Sequence, residues 1–225
     1  MKRILLLLSI ILLASCGNSK NSADFIASVT GTYLFNANET ISISFDQNDL
    51  MVKWRGNEKI KPLKINDSTF YMKEMNEKFI FKTQQQVYIK LAEKREHEGV
   101  SIKFPKMEVG QKTPKEYYDD GDIDKAMKGY LIIQKNNPES RSIRESSLNN
   151  LGYRAMRKKE YNKAIKIFKL NTVLYPKSAN TFDSLGEAYY RSKDSVNALI
   201  CFKKVLELKP NDRRAKQYID EQFLD

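Results

Sequence analysis

The chain has 225 residues, is 41% hydrophobic and 30% charged, and carries a formal net charge of +11. That length accommodates one large or two small domains with workable cores, and the two signs of charge are interleaved, as on a solvated surface rather than one basic patch. One histidine, two cysteines and nine unclustered glycines argue against a catalytic triad, a structural zinc site and a phosphate-cradling loop.

Residues 1–16 read as an export signal. Lys2 and Arg3 form a positive start, residues 4–13 are an apolar run too short to span a bilayer, and Leu13-Ala14-Ser15-Cys16 closes it. That tetrapeptide resembles a bacterial lipobox. The resemblance implies cleavage before Cys16, acylation of its thiol and amino group, and a mature charge of +9 once Lys2 and Arg3 are removed from the +11. Two or three acyl chains, at about 0.8 kcal/mol per buried methylene, hold a protein firmly on a membrane. Gly17 after the cysteine favours the periplasmic face of the outer membrane of a Gram-negative cell envelope. Residues 17–23, rich in Ser and Asn, read as a flexible tether.

From residue 24 to 106 the apolar period is two. Residues 32–35, 41–45, 50–54, 60–63, 69–72, 78–81, 87–91 and 100–104 are short runs of β-branched and aromatic residues separated by Asn, Asp and Gly turns. They predict an antiparallel meander of six to eight strands, a small barrel or sandwich. Phe45, Trp54, Phe70, Phe79 and Phe81 are bulky enough to fill its interior, which counts against the alternative of a ligand-binding barrel. Gly31-Thr32-Tyr33 leading into the hairpin at 41–45, with Phe70-Tyr71 and Lys78-Phe79-Ile80-Phe81, resembles the accessory β-domain found after class C β-lactamase-like serine hydrolases. The resemblance implies an accessory or regulatory part of such a system. The hydrolase's own Ser-x-x-Lys, Tyr-x-Asn and Lys-Thr-Gly motifs are absent from the chain.

No catalytic residues, cofactor or metal site are expected. His97 belongs to a charged turn that suits a solvated hairpin tip, and the acidic group Asp119, Asp120, Asp122 and Asp124 lacks a calcium-loop pattern. Asp122 instead reads as a helix N-cap. Cys201, the other cysteine, reads as a small buried hydrophobe. An exported protein also has no nucleic-acid partner.

Residues 107–225 repeat themselves. Leu148, Leu151, Gly152, Ala164, Phe168 and Pro176 recur 34 positions later as Phe182, Leu185, Gly186, Ala198, Phe202 and Pro210. A period of that length marks stacked helix hairpins, and the pattern resembles tetratricopeptide repeats. Small residues at Gly152 and Ala164 let paired helices approach, Phe168 and Phe202 fill space towards the next repeat, and Pro176 and Pro210 stop each second helix. An upstream half-copy, Ala126-x-x-x-Tyr130 and Pro138, precedes the next by 38 instead of 34. The four extra residues around Arg141 to Arg144 predict a following helix longer by about a turn. Pro114 stands where the first copy needs glycine, so its first helix should be short. The whole is an α+β multidomain chain, with about two and a half repeats and a capping helix after Pro210.

The resemblance places a binding groove on the first helix of each repeat, at Ser146, Asn149, Tyr153, Met156 and Arg157 and at Asn180, Asp183, Glu187, Tyr190 and Arg191. Tyrosine and arginine commonly anchor interfaces. The Lys and Asn arrangement that grips C-terminal carboxylates is not reproduced. The expected role is a non-catalytic adaptor binding an envelope protein or peptide, with a second copy of the chain as one way to complete so short an array.

Overall fold

A computed structural model describes residues 20–223, with side chains to residue 221. The export signal, Cys16 and residues 17–19 of the expected tether lie outside the described residues. At the other end of that tether Asn21 donates to the Asn48 carbonyl at 3.1 Å, and Ser22 caps a helix, α1 (Ala23–Val29), in a stretch read as the end of the tether and the start of the β-domain.

Nine strands follow: β1 (Gly31–Leu34), β2 (Thr40–Asp46), β3 (Asp49–Trp54), β4 (Asn57–Ile60), β5 (Leu63–Asn66), β6 (Thr69–Met72), β7 (Glu77–Lys82), β8 (Tyr88–Leu91) and β9 (Lys103–Pro105). They form two antiparallel meanders, β1-β2-β3-β4 and β5-β6-β7-β8-β9. The predicted strand at 60–63 is instead the break between the sheets. Pro62 has no amide proton to donate to a ladder, so pairing stops at Ile60 and restarts at Leu63. The expected barrel is not closed. The sheets touch at β1 and β9 through one bridge, Tyr33 to Lys106, and the Met107 amide donates to the Thr32 carbonyl at 2.7 Å, while β4 and β5 do not pair.

Both sheets share one apolar core in which Tyr33, Phe70, Phe79, Phe104, Ile41 and Ile89 are fully buried. α1 explains how the unclosed structure stays dry. Its Phe25 lies 6.4 Å from Phe45 of one sheet and 5.8 Å from Phe81 of the other, and Tyr33 Oη donates to the Val29 carbonyl at 2.7 Å. His97 is not at a solvated tip. Its side chain is 10% exposed and its Nε2 sits 3.0 Å from Glu77 Oε1.

The helical region contains α2 (Pro114–Asp119), α3 (Ile123–Asn136), α4 (Glu145–Arg157), α5 (Tyr161–Leu174), α6 (Ala179–Arg191), α7 (Ser195–Leu208) and α8 (Arg213–Phe223). α2 is as short as Pro114 requires, opened by a capping box between Thr113 and Glu116, and Asp122 caps α3 as expected. Three hairpins, α2/α3, α4/α5 and α6/α7, turn on a left-handed residue at equivalent positions, Gly121, Lys159 and Lys193. Phe168 packs over Gly152 of its own hairpin rather than only towards the next, leaving no room for a Cβ there. In the first hairpin the close approach is inverted: proline is on the first helix, and the glycine that admits it is Gly129 on the second, where a Cβ would stand 2.5 Å from Pro114 Cγ.

The four extra residues do not lengthen α4. Arg141–Ile143 forms a separate 3-10 turn, with Ile143 buried and its carbonyl accepting from Tyr175 Oη at 2.8 Å. The β1–β2 loop docks beside that turn. Leu34 and Ala37 join the helical core, the Ala37 amide donates to Ser142 Oγ at 3.1 Å, and the Lys115 amide donates to the Ala37 carbonyl at 2.8 Å. Among the described residues no helix is long and apolar enough to cross a membrane.

Candidate functional site: the face shared by α4, α6 and α8

The first helices of successive hairpins bring their second, fifth and ninth positions onto one face, and α8 extends it. Ser146, Asn180 and Arg214 are spaced 34 apart, so α8 occupies the place of a further first helix. Side chains cross between the three helices. Asn180 Nδ2 donates to Glu145 Oε1 at 2.8 Å, Tyr153 Oη donates to Glu187 Oε2 at 3.1 Å, and Arg214 reaches Asp183 Oδ2 at 3.1 Å and Glu187 Oε2 at 2.8 Å. Arg191 Nε closes the set on Glu187 Oε1 at 2.9 Å.

The predicted groove residues therefore do not all face a partner. Tyr153 and Arg191 are held by Glu187, Asp183 is held by Arg214, and Tyr153 also stacks edge-on against Phe168 with centroids 5.2 Å apart. Met156 is part of the helical core and offers nothing to a partner. Ser146, Arg157, Asn180, Tyr190 and Arg191 are exposed, with Tyr190 lying edge-on to Tyr218 of α8 at 5.0 Å. Arg214 is the residue that the sequence reading missed. Continuing the 34-residue period past Pro210 marks it.

Charge on this face is tuned by burial and pairing. Burial raises the Asp183 carboxyl above its ordinary range although Arg214 opposes the shift. Burial pushes Glu187 the same way, but hydrogen bonds from Arg214, Arg191 and Tyr153 outweigh it and hold the carboxyl low. Two oxygens stay unsatisfied. Asn149 Oδ1 and Asp183 Oδ1, at the same repeat position on α4 and α6, are buried and accept no hydrogen bond. A buried acceptor without a donor costs about 1–3 kcal/mol.

Elsewhere the chemistry is structural. Cys201 is buried and its thiol is pushed up to about 11 by burial, as suits an inert core residue. Among the described residues no group of three His, Cys, Asp or Glu could hold a metal ion.

No protein-family model and no curated protein matches the chain. Among solved structures it is similar to the first TPR domain of Spaghetti (RPAP3) bound to the HSP90 peptide SRMEEVD, with 20% identity over 48% of this chain and 82% of that one, and a TM-score of 0.34. A MamA mutant aligns at 19% identity, 47% and 74% coverage and a TM-score of 0.38. The Arabidopsis OM64 TPR domain aligns at 17% identity, 48% and 86% coverage and 0.34. With scores this low these likenesses carry no argument, and the description of the helical region rests on its own three hairpins, spaced 38 and 34 residues apart.

Proposed function

We propose that the protein is a lipid-anchored adaptor of the bacterial cell envelope that binds a protein or peptide partner on the face shared by α4, α6 and α8. The observation that carries this reading is the set of exposed side chains on the first helices of successive hairpins, Ser146 and Arg157 on α4 and Asn180, Tyr190 and Arg191 on α6, with Arg214 continuing the period on α8. Aromatic and guanidinium side chains such as Tyr190, Arg157 and Arg191 are the types that anchor interfaces. The lipobox-like Leu13-Ala14-Ser15-Cys16 supports the anchor, with Gly17 favouring the periplasmic face of the outer membrane. The filled core between the sheets favours a spacer role for the β-domain over a ligand site.

Because Tyr153 is tied into the core, the exposed pair Asn180 and Tyr190 is the better target for mutation. Crosslinked pull-downs from envelope membranes should recover a partner with the wild type and lose it with Asn180→Ala, Tyr190→Ala. Recovery of the same proteins by both, with the fold intact by circular dichroism, contradicts the reading. The anchor has its own test: Cys16→Ser should abolish labelling by radioactive palmitate, and retained labelling contradicts acylation at that residue.

A further inference from the structure

A second cleft, distinct from the α4–α6–α8 face, opens where the repeat spacing breaks. It has a volume of about 540 Å3 and is walled by the β1–β2 loop and Arg55 on one side and by α2, α3, the 3-10 turn and α4 on the other. Four cations line it, Arg55, Lys115, Arg141 and Arg154, against one carboxylate, Glu39. Glu39 is already engaged by Arg55 at 3.1 Å. Arg55 is further held over the Trp54 ring at 4.5 Å, so its guanidinium is positioned before any ligand arrives. Arg141 and Arg154 are exposed, and among the described residues neither makes an ion pair or side-chain hydrogen bond.

A third feature of the cleft is a donor with no acceptor. Tyr130 is 4% exposed and lines the cleft, and its hydroxyl makes no hydrogen bond to the described residues. Burial pushes its phenol up to about 12, so it is a neutral donor at any physiological pH. Phe35, Leu148 and Leu151 add an apolar strip, and the rest of the lining is Asn and Ser side chains of the β1–β2 loop, the 3-10 turn and its flanks. A neighbouring cleft of about 530 Å3 shares Lys115, Leu151 and Arg154 and continues along α2 and α4 past Tyr118 to Arg157, Lys158 and Lys163, with Asp119 and Glu160 paired to Lys115 and Lys163 in its lining. The two together line an elongated groove in which cations outnumber carboxylates and an apolar strip runs along α4.

We infer that this groove binds an acidic peptide segment with interspersed apolar side chains, its carboxylates taken by Arg141, Arg154 and Arg55. Guanidinium groups match carboxylates in bidentate geometry, and complementary charge sets both encounter rate and specificity. The length of the groove and the apolar strip of Phe35, Leu148 and Leu151 select a chain of residues over a single phosphate, and its recessed walls exclude a flat lipid surface.

The test uses the full chain in detergent and a fluorescein-labelled peptide of Glu-Glu-Leu repeated four times, followed by anisotropy. Binding should weaken by about tenfold or more when Gln replaces Glu in the peptide, and likewise in the Arg141→Glu, Arg154→Glu variant. Those two side chains have no partners to lose, so the variant should melt with the wild type. Asn180→Ala, Tyr190→Ala should bind this peptide as the wild type does, which separates the groove from the α4–α6–α8 face. The inference is overturned by failure of the Glu peptide to bind at submillimolar concentration, by equal affinity for the Gln peptide, or by unchanged affinity in the charge-reversed variant. Complete displacement by millimolar inorganic phosphate also overturns it, by showing a small-anion site.

Discussion

The helical region contains two junctions between hairpins, and they are built differently. Between α4/α5 and α6/α7 the spacing is 34, and facing first helices are sealed by Asn180 on Glu145 and by Tyr153 on Glu187. Between α2/α3 and α4/α5 the spacing is 38, the first helices stand apart across a cleft, and the β1–β2 loop enters from the other domain. Equal spacing brings equivalent positions into contact and consumes their hydrogen bonds. Four added residues at Arg141 to Arg144 uncouple the helices, leave arginines without partners, and give the β-domain a place to dock.

Substitutions within the regular hairpin should be the most damaging. Phe168→Ala removes a fully buried ring packed on Gly152 and should cost about 3–5 kcal/mol in denaturant unfolding. A cost no larger than that of a surface change would mean the hairpin does not depend on this contact. Next comes Gly152→Ala, which overpacks the same contact by about 1–3 kcal/mol. Gly186→Ala, where the new Cβ lies 3.1 Å from Phe202, should fall below it. Reversal of that order would break the account of how closely the helices approach.

The sealed junction should also show in pH dependence. Glu187 has its carboxyl lowered in the folded state, so its pairing stabilises the fold above its ordinary value of 4.5, and that stability is lost as pH falls through the lowered value. Glu187→Gln should therefore cost about 2 kcal/mol at neutral pH and progressively less in acid, measured by urea melts across the range. A pH-independent penalty would mean that shape rather than charge seals the junction. The smallest effect belongs to the irregular junction: Ser142→Ala removes the acceptor of the Ala37 amide and should cost about 1 kcal/mol.

Much of this was legible in the sequence because repetition carries its own register. The spacing of Gly152, Phe168 and Pro176 located two hairpins, and Pro114 announced the short α2. What escaped depends on contacts between segments far apart in the chain. α1 is only seven residues long, too short to display a helical period, and its role is visible only once Phe25 is seen between two sheets. Strand 60–63 looked continuous because apolar content was weighed and the missing amide of Pro62 was not. The four extra residues were expected in α4, but Ile143 is buried and Tyr175 ties its carbonyl, so the segment folds into its own turn. The cationic groove could not be foreseen, since Glu39, Arg55, Arg141 and Arg154 meet only through the docking of one domain on the other.

The adaptor reading is tested most directly by placing a photo-crosslinking amino acid at Tyr190, on the α4–α6–α8 face, and separately at Val196, exposed on α7. Irradiation of intact cells should give a discrete protein adduct from position 190 and none from position 196. The same adducts from both positions, or none from 190, would contradict a binding face built on the first helices of the repeats.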